Sequence, residues 1–416
     1  MSQAGTIEYL VIVAGTELPP ESVMVRALAS AGLGTFDYTP TDIHSGPLPT
    51  GAAGRTRLGA YTSVPTSVTH QTRIIAYRHD KAVTNGMGES AFARITRDLP
   101  EASAETVRAG SLALSVRVTI PDDLPLAALD WSLALLQTVL RVSDGVAIDP
   151  IAQRCYDSDS LVGIQDNDPL AHLAIHNEPH RVETRWLHTH GLEKFHRPEL
   201  EMLDVPFSLE EEALSFLREV SIRIAHGARL APGDEIDMEE LGRLVTVALA
   251  PDADHAAAFG RLCIVDAPLL GQREDSGAIR FLKASVLQQA TQYLMRGDYQ
   301  QASESIERVL SADADDGAAL ALNARVLLAT GDPVEALSIG EFLALRAPGD
   351  YRGPFIRGLA LAELGRFREA LTEFNHAITL HPEVAEAFSA RAAALERLGQ
   401  HEQAAEDRIH AEYLGQ

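Results

Sequence analysis

The sequence predicts an α+β N-terminal region followed by an all-α solenoid of stacked helix pairs. Three observations predict it. Glycines 297, 331, 365 and 399 recur every 34 residues, and alanines 302, 336, 370 and 404 follow at the same period. A fixed period of that size marks repeats that bury their apolar faces on one another. Upstream, alternating strand-like segments are mixed with helical ones. A chain of 416 residues also exceeds what one core holds, so several domains are expected.

Taken in order, a strand runs from Thr6 to Ala14, and Pro19 and Pro20 open a helix that ends at Ala31. The stretch Thr39–Thr56 is rich in Gly, Pro and Thr and reads as a loop. Strands follow at Arg57–Val64 and Thr72–Arg78, then a helix at Glu89–Asp98 and a strand at Leu112–Ile120. The order β-α-β-β-α-β is that of a ferredoxin-like unit, which would occupy residues 1–120.

A second α/β subdomain is expected over 121–270. Leu126, Leu129, Leu133, Leu136 and Leu140 line one face of a helix, and Trp131, Leu135, Val139 and Val142 line another. Such a helix is buried on most sides. It is short for a bilayer span, and Asp130 and Gln137 interrupt it, so it is expected to stay out of a bilayer. Strands are expected at Gly145–Asp149, Ala171–His176, Arg181–His188 and Glu199–Leu203. Ser208 and Glu211 have capping-box spacing at the start of a helix over Leu209–Ala225. Strands at Arg243–Leu249 and Arg261–Asp266 complete the unit. A polar linker is expected over 271–282, and four repeats over 283–416.

The repeat units begin near Lys283, Gly317, Tyr351 and Ala385. Ala290, Ala324, Gly358 and Ala392 are small residues where paired helices approach. Tyr293, Leu327, Leu361 and Leu395 precede the turn glycines by four residues, and Tyr299, Pro333, Phe367 and His401 follow them by two. This pattern resembles the tetratricopeptide (TPR) repeat. The resemblance implies a groove that holds a protein or peptide. Its departures are Ala314 in place of a closing proline, Gly340 in place of a bulky residue, and Arg408 in the last unit.

The expected binding face is the inner side of the first helices: Leu287, Leu294, Arg325, Leu328, Arg352, Phe355 and Leu359, with Ala321, Ala362 and Ala393 between them. Some TPR domains grip a C-terminal carboxylate with a Lys/Asn/Arg set, and this face lacks it. A small, apolar face suits an amphipathic helix laid in a groove, either from a partner or from the N-terminal region of this chain.

Six histidines fall between His172 and His196: His172, His176, His180, His188, His190 and His196. On a strand, His188 and His190 share a face, a workable pair of divalent-metal ligands; no HExxH accompanies them. The opposing reading is a polar strand pair without metal, and no other cofactor is expected. The segment Trp186–Leu203, with T-x-G before P-E-L-E, is similar to a motif of uncharacterised bacterial α/β families, which implies a fold and no mechanism. Asn85–Ser90 is expected to be a plain turn and helix cap, and Cys155 a buried apolar cysteine.

The net charge of −24 opposes binding to nucleic acid or anionic membranes. Cys155 and Cys263 are the only cysteines, which suits a reducing, cytoplasmic compartment. Two functions follow. One is a cytoplasmic interaction scaffold, a TPR adaptor fused to an α/β module. The other is an enzyme, metal-dependent through the histidines, with the repeats as a recruitment arm.

Overall fold

Apolar alternation builds the first sheet. A computed structural model of the chain describes residues 5–40, 55–63, 72–79, 84, 87–120, 125–162, 164, 167–230, 235–238, 243–249, 261–266 and 277–414. The first sheet contains β1 (Gly5–Ile12), β2 (Phe36–Pro40), β3 (Arg55–Ser63), β4 (Thr72–His79), β5 (Leu112–Ile120), β6 (Val146–Asp149) and β7 (Arg154–Tyr156). Their order is β2-β3-β4-β5-β1-β6-β7, and every neighbouring pair is antiparallel. Ile7, Tyr9 and Val11 point to one face, where Met24 and Leu28 of α1 (Glu21–Ser30) and Leu129 and Leu136 of α4 (Pro125–Ser143) cover them. Ile12 and Ala113 point to the other face, under Phe92 of α2 (Glu89–Ile95) and Val107 of α3 (Glu101–Ala109).

This sheet is not the ferredoxin-like unit expected over 1–120. That unit sets its first and third strands side by side. Here β5 lies between β4 and β1 and runs antiparallel to both. The two short helices α2 and α3 return the chain beside β4, as a long hairpin connection would. The sheet also continues through β6 and β7, so the boundary expected at residue 120 falls inside it. Helix α4 therefore belongs to the first layer set. Its Leu126–Ser143 stretch is, among the described residues, the one helix long and apolar enough to cross a membrane, so the expected disqualification by length does not hold. Leu129, Leu133, Leu136 and Leu140 are instead buried against the sheet.

The second sheet holds β8 (Ala174–Pro179), β9 (Thr184–His190), β10 (Glu199–Pro206), β11 (Glu235–Met238), β12 (Arg243–Leu249) and β13 (Arg261–Asp266) in the order β11-β12-β13-β10-β9-β8. Strands β10 and β13 pair in parallel and the rest are antiparallel. Leu187, Leu200 and Met202 meet Phe216, Leu217 and Val220 of α5 (Glu210–Ala225). The expected capping box is absent. A 3-10 turn over Phe207–Leu209 precedes the helix, Ser208 lies inside it, and no side chain caps the helix. The Ser208 carbonyl instead accepts from Arg308 Nε at 3.1 Å, and Arg308 also pairs with Glu212.

A buried polar seam joins the two sheets. Lys194 donates to Asp149 of β6 and to the His172 carbonyl, the latter at 2.8 Å, and both members of the ion pair are fully buried. His172 Nε2 and Asp130 Oδ1 are 2.8 Å apart, and the Tyr156 hydroxyl donates to the Ala171 carbonyl at 3.1 Å. Removing one partner of such a pair strands a buried charge and costs about 3–5 kcal/mol.

The repeats are α6 (Gly277–Arg296), α7 (Tyr299–Ala312), α8 (Gly317–Thr330), α9 (Pro333–Arg346), α10 (Arg352–Glu363), α11 (Phe367–Leu380), α12 (Ala385–Arg397) and α13 (His401–Leu414). Helix α6 begins at 277, inside the linker expected over 271–282; residues 271–276 lie outside the described residues. Gly297, Gly331, Gly365 and Gly399 all have φ between +75° and +92°, the left-handed region that ends a helix. In each turn the next residue's N–H reaches back five residues, as from Asp332 to the Leu327 carbonyl at 2.8 Å. Tyr299, Pro333, Phe367 and His401 open the second helices, and the Tyr299 ring is exposed. Ala290, Ala324 and Ala392 are fully buried, and a Cβ at Gly358 would fall 2.5 Å from the Phe374 ring. Gly340 has a similar cause: a Cβ there would lie 2.9 Å from the Arg357 backbone nitrogen, so α9 and α10 touch where a bulky residue was expected. Lys283 reaches across to Asp313 at 2.7 Å and to Asp316 at 2.9 Å, and Asp316 caps α8 by accepting from the backbone N–H groups of Ala318 and Ala319.

This packing sets two expectations. Ala370 is fully buried between helices, so Ala370→Leu should cost about 1–3 kcal/mol by overpacking, read as a lower urea midpoint; an unchanged midpoint would mean the helix phase is wrong. The second concerns the seam and pH. Burial lowers the His172 pKa below its usual 6.5, with the Asp130 bond opposing the shift. Burial raises the Asp130 carboxyl, but hydrogen bonds from His172 and Asn167 outweigh it and leave it below its usual 3.8. Both groups bind protons more readily when unfolded. Their stabilisation is present above their unfolded pKa values and is lost as pH falls through the folded ones. The urea midpoint should therefore drop from about pH 7 to below about pH 4, the histidine acting in the upper part and the carboxylate in the lower, and His172→Gln should flatten the part from about pH 7 to pH 5. An unaltered profile in the variant would contradict the assignment.

Candidate functional site

The first helices of the repeats line a concavity. A cleft of about 380 Å³ runs across α6, α8, α10 and the start of α12. Leu287, Arg325, Arg352 and Phe355 line it, as the helical phase predicts, together with Ala284, Gln288, Thr291, Ala318, Ala321, Leu322, Tyr351, Ile356 and Glu386. Leu294, Leu328 and Leu359 do not. Leu294 packs into the core that α6 shares with α5, while Leu328 and Leu359 pack between α8 and α10. Phe355 is only 6% exposed and its ring lies 6.2 Å from Phe374, so it is as much core as cleft wall.

The charges in the cleft are already matched. Arg325 Nη2 lies 3.1 Å from Glu386 Oε1 and ties α8 to α12. Arg352 Nε donates to Asp350 Oδ2 at 2.8 Å. The floor that remains is apolar and small. All described residues lining the cleft come from the repeats. The described N-terminal residues meet the solenoid elsewhere, through the cluster that joins Phe216 and Leu217 to Leu282, Val286 and Ala302. Tyr351, just before α10, and Glu386, in the first turn of α12, were missed from sequence because they enter the cleft only when the helices are stacked.

A second concavity lies between the two sheets. It is a cleft of about 210 Å³ lined by Arg94, Arg97, Arg154 and Arg218, with Asp98, Gln153 and His176. In a chain of net charge −24, four arginines around so small a cleft make a local positive site. His176 borders the face of the second sheet opposite α5. His176 pairs with His188 across β8 and β9, and His188 pairs with Glu201 across β9 and β10. His188 and His190 do share a face, with ring centroids 5.0 Å apart. His190 Nδ1 is 3.3 Å from the Gln153 amide nitrogen, and His176 Nε2 is 3.4 Å from the Ala152 carbonyl. Desolvation lowers the His176 pKa, keeping the ring neutral near pH 7.

The T-x-G…P-E-L-E segment is a brace. The Thr189 hydroxyl donates to Glu199 Oε2 at 2.6 Å, and the backbone nitrogens of Gly191 and Glu193 donate to Glu199 Oε1 at 2.8 and 3.2 Å. Gly191 has φ +118°, and a Cβ there would lie 2.6 Å from the His172 carbonyl oxygen. Two backbone donors and a hydroxyl satisfy the buried Glu199 carboxylate, although desolvation still raises its pKa. The same segment supplies Trp186, whose Nε1 donates to Glu201 Oε2 at 3.1 Å and whose ring stacks on His188 at 3.9 Å.

Cys155 is buried beside β1 and β6, and desolvation pushes its thiol up to about 12, so it is no nucleophile at neutral pH. Asn85 and Gly86 lie outside the described residues; Gly88 precedes α2 with no side-chain capping bond.

Two models of the tetratricopeptide repeat match this chain, over residues 293–351 and 357–408. No curated protein matches. Among solved structures, MamA from AMB-1 is 26% identical over 32% of this chain and 79% of its own, with a TM-score of 0.26. A thermophilic TPR protein of Thermus thermophilus is 25% identical over 32% of this chain and 74% of its own, with a TM-score of 0.30. The matched models, the left-handed glycine at every turn and the stack α6–α13 lead to one conclusion: the C-terminal region of this chain, residues 293–408, consists of tetratricopeptide repeats.

Proposed function

We propose that this protein is a cytoplasmic interaction adaptor whose repeat cleft takes the apolar face of an amphipathic helix from a partner protein. Tetratricopeptide domains generally bind proteins or peptides in their concave surface. The observation that carries the finer reading is the composition of the cleft: Leu287, Ala321, Leu322 and Ile356 form its floor, while both of its arginines are held by carboxylates of the same chain. A ligand read by apolar anchors at helical spacing suits that floor. A free C-terminal carboxylate does not, because it would have to displace Glu386 or Asp350 from an existing pair. The N-terminal region has the supporting role of docking α6 and α7, which holds the first wall of the cleft in place.

Selection of displayed helical peptides on the full chain tests this. Amphipathic sequences should be enriched, and their affinity should change little with salt, since the contact is apolar. Ala321→Arg should weaken the selected peptides by more than about tenfold, because it places an unmatched charge on the floor, while Glu396→Ala should leave them unchanged. Phe355→Ala should lower the melting temperature as well as binding, given its packing on Phe374. Binding that is indifferent to Ala321→Arg, or that collapses with added salt, would move the interaction to another surface.

A further inference from the structure

We propose that the face of the second sheet opposite α5 holds a divalent first-row metal ion, ligated by His176, Glu178 and His188. One ligand atom from each of the three lies within 4.8 Å of the other two. A tetrahedral ion with bonds of about 2.0–2.2 Å sets its ligands roughly 3.3–3.6 Å apart, so side-chain rotation of about an ångström closes the set. The backbone that carries them is fixed. His176 and His188 are direct cross-strand partners, and Glu178 stands two residues along β8 on the same face. Sites on paired strands hold their geometry better than sites on loops.

The surroundings have the form of an outer ligand shell. The Ala152 carbonyl lies 3.4 Å from His176 Nε2, the contact that orients a ligating imidazole and sets its tautomer. Trp186 stacks on the His188 ring and donates to Glu201, limiting how that ring can turn. His190, the second histidine that the sequence spacing suggests, stands beside the trio. Its Nδ1 faces the Gln153 amide, which assigns it to the supporting shell. His176 and His188 are 6% and 2% exposed, so two imidazoles occupy ground where a sheet face ordinarily carries aliphatic side chains.

Arg94 is the competing cation. Its Nη1 lies 3.2 Å from Glu178 Oε1, but the same nitrogen donates to Gln153 Oε1 at 3.2 Å, so it keeps a partner when an ion engages Glu178. Two imidazoles and one carboxylate form the donor set of open zinc sites and of iron(II) sites with free positions. His176 also walls the arginine-lined cleft, so an ion held here would border a cleft suited to anions.

The test uses the full chain purified without a polyhistidine tag. The protein is stripped with chelator and titrated with Zn²⁺ by calorimetry and with Co²⁺ by visible absorption. The expected result is saturation at one ion per chain, with a Co²⁺ ligand-field band. Glu178→Gln and His188→Ala should each weaken Zn²⁺ binding by more than about tenfold, while His190→Ala should lose less than either. Glu178→Gln keeps the side-chain shape, and an unchanged circular dichroism spectrum confirms that its loss is one of ligation. Failure of the wild-type chain to bind either ion, or binding that both ligand variants leave intact, would overturn the proposal.

Discussion

Helix α6 is both part of the core it shares with the second sheet and a wall of the repeat cleft, and much of the architecture depends on it. One side, through Leu282, Val286 and Ala290, belongs to the cluster that includes Leu187, Leu200, Phe216 and Val220 of the second sheet and α5. Another side, through Leu287 and Thr291, forms the first wall of the repeat cleft. A terminal repeat normally needs a polar outer face, because no neighbour covers it. Here the sheet and α5 provide that cover. Arg308 fastens the same junction by reaching the Ser208 carbonyl and Glu212 from α7. At the other end of the stack α13 has no neighbour beyond it among the described residues, and Arg391–Asp407 and Arg408–Glu396 occupy that helix pair with charge.

The same economy appears between the two sheets. Polar pairs carry part of their contact: Lys194 with Asp149, His172 Nε2 with Asp130, and the Tyr156 hydroxyl with a carbonyl, while His172 Nδ1 has no hydrogen-bond partner and Ala171, Phe195 and Ala225 pack into the core of the first sheet. Such a seam gives less net stability than an apolar one of equal size. It does fix the approach of the turn carrying Ala152 and Gln153 to the histidine face, which an apolar contact would specify less sharply.

The repeats were legible because the backbone left no choice. A left-handed turn every 34 residues selects glycine at Gly297, Gly331, Gly365 and Gly399, and a close helix contact selects Ala290, Ala324, Gly358 and Ala392. The N-terminal sheets were harder. Strand positions were readable at β5, β12 and β13, where apolar runs are bounded by turn residues, but β2, β7, β11 and α3 are short and carry weak periodicity. Strand order was not readable, since nothing in Leu112–Ile120 says that it inserts between β1 and β4. The sites divide in the same way. Phase along one helix found Leu287, Arg325, Arg352 and Phe355, yet it also chose Leu294, Leu328 and Leu359, because a groove wall and a helix–helix contact share one stripe. Spacing along one strand paired His188 with His190. The partnership of His188 with His176 and Glu178 depends on the β8–β9 register, which a single strand does not encode.

Helix α6 couples the repeats to the N-terminal sheets, and the two tryptophans allow that coupling to be measured. Trp131 and Trp186 are the only tryptophans and both lie outside the repeats, whereas most helical signal comes from α6–α13. Val286→Ala removes buried apolar volume from α6 at the shared core. Urea unfolding should be followed by tryptophan fluorescence and by far-ultraviolet circular dichroism on the same samples. Val286→Ala should lower both midpoints together. A lowered helical midpoint with an unmoved fluorescence transition would contradict that coupling, by showing that the sheets do not depend on α6.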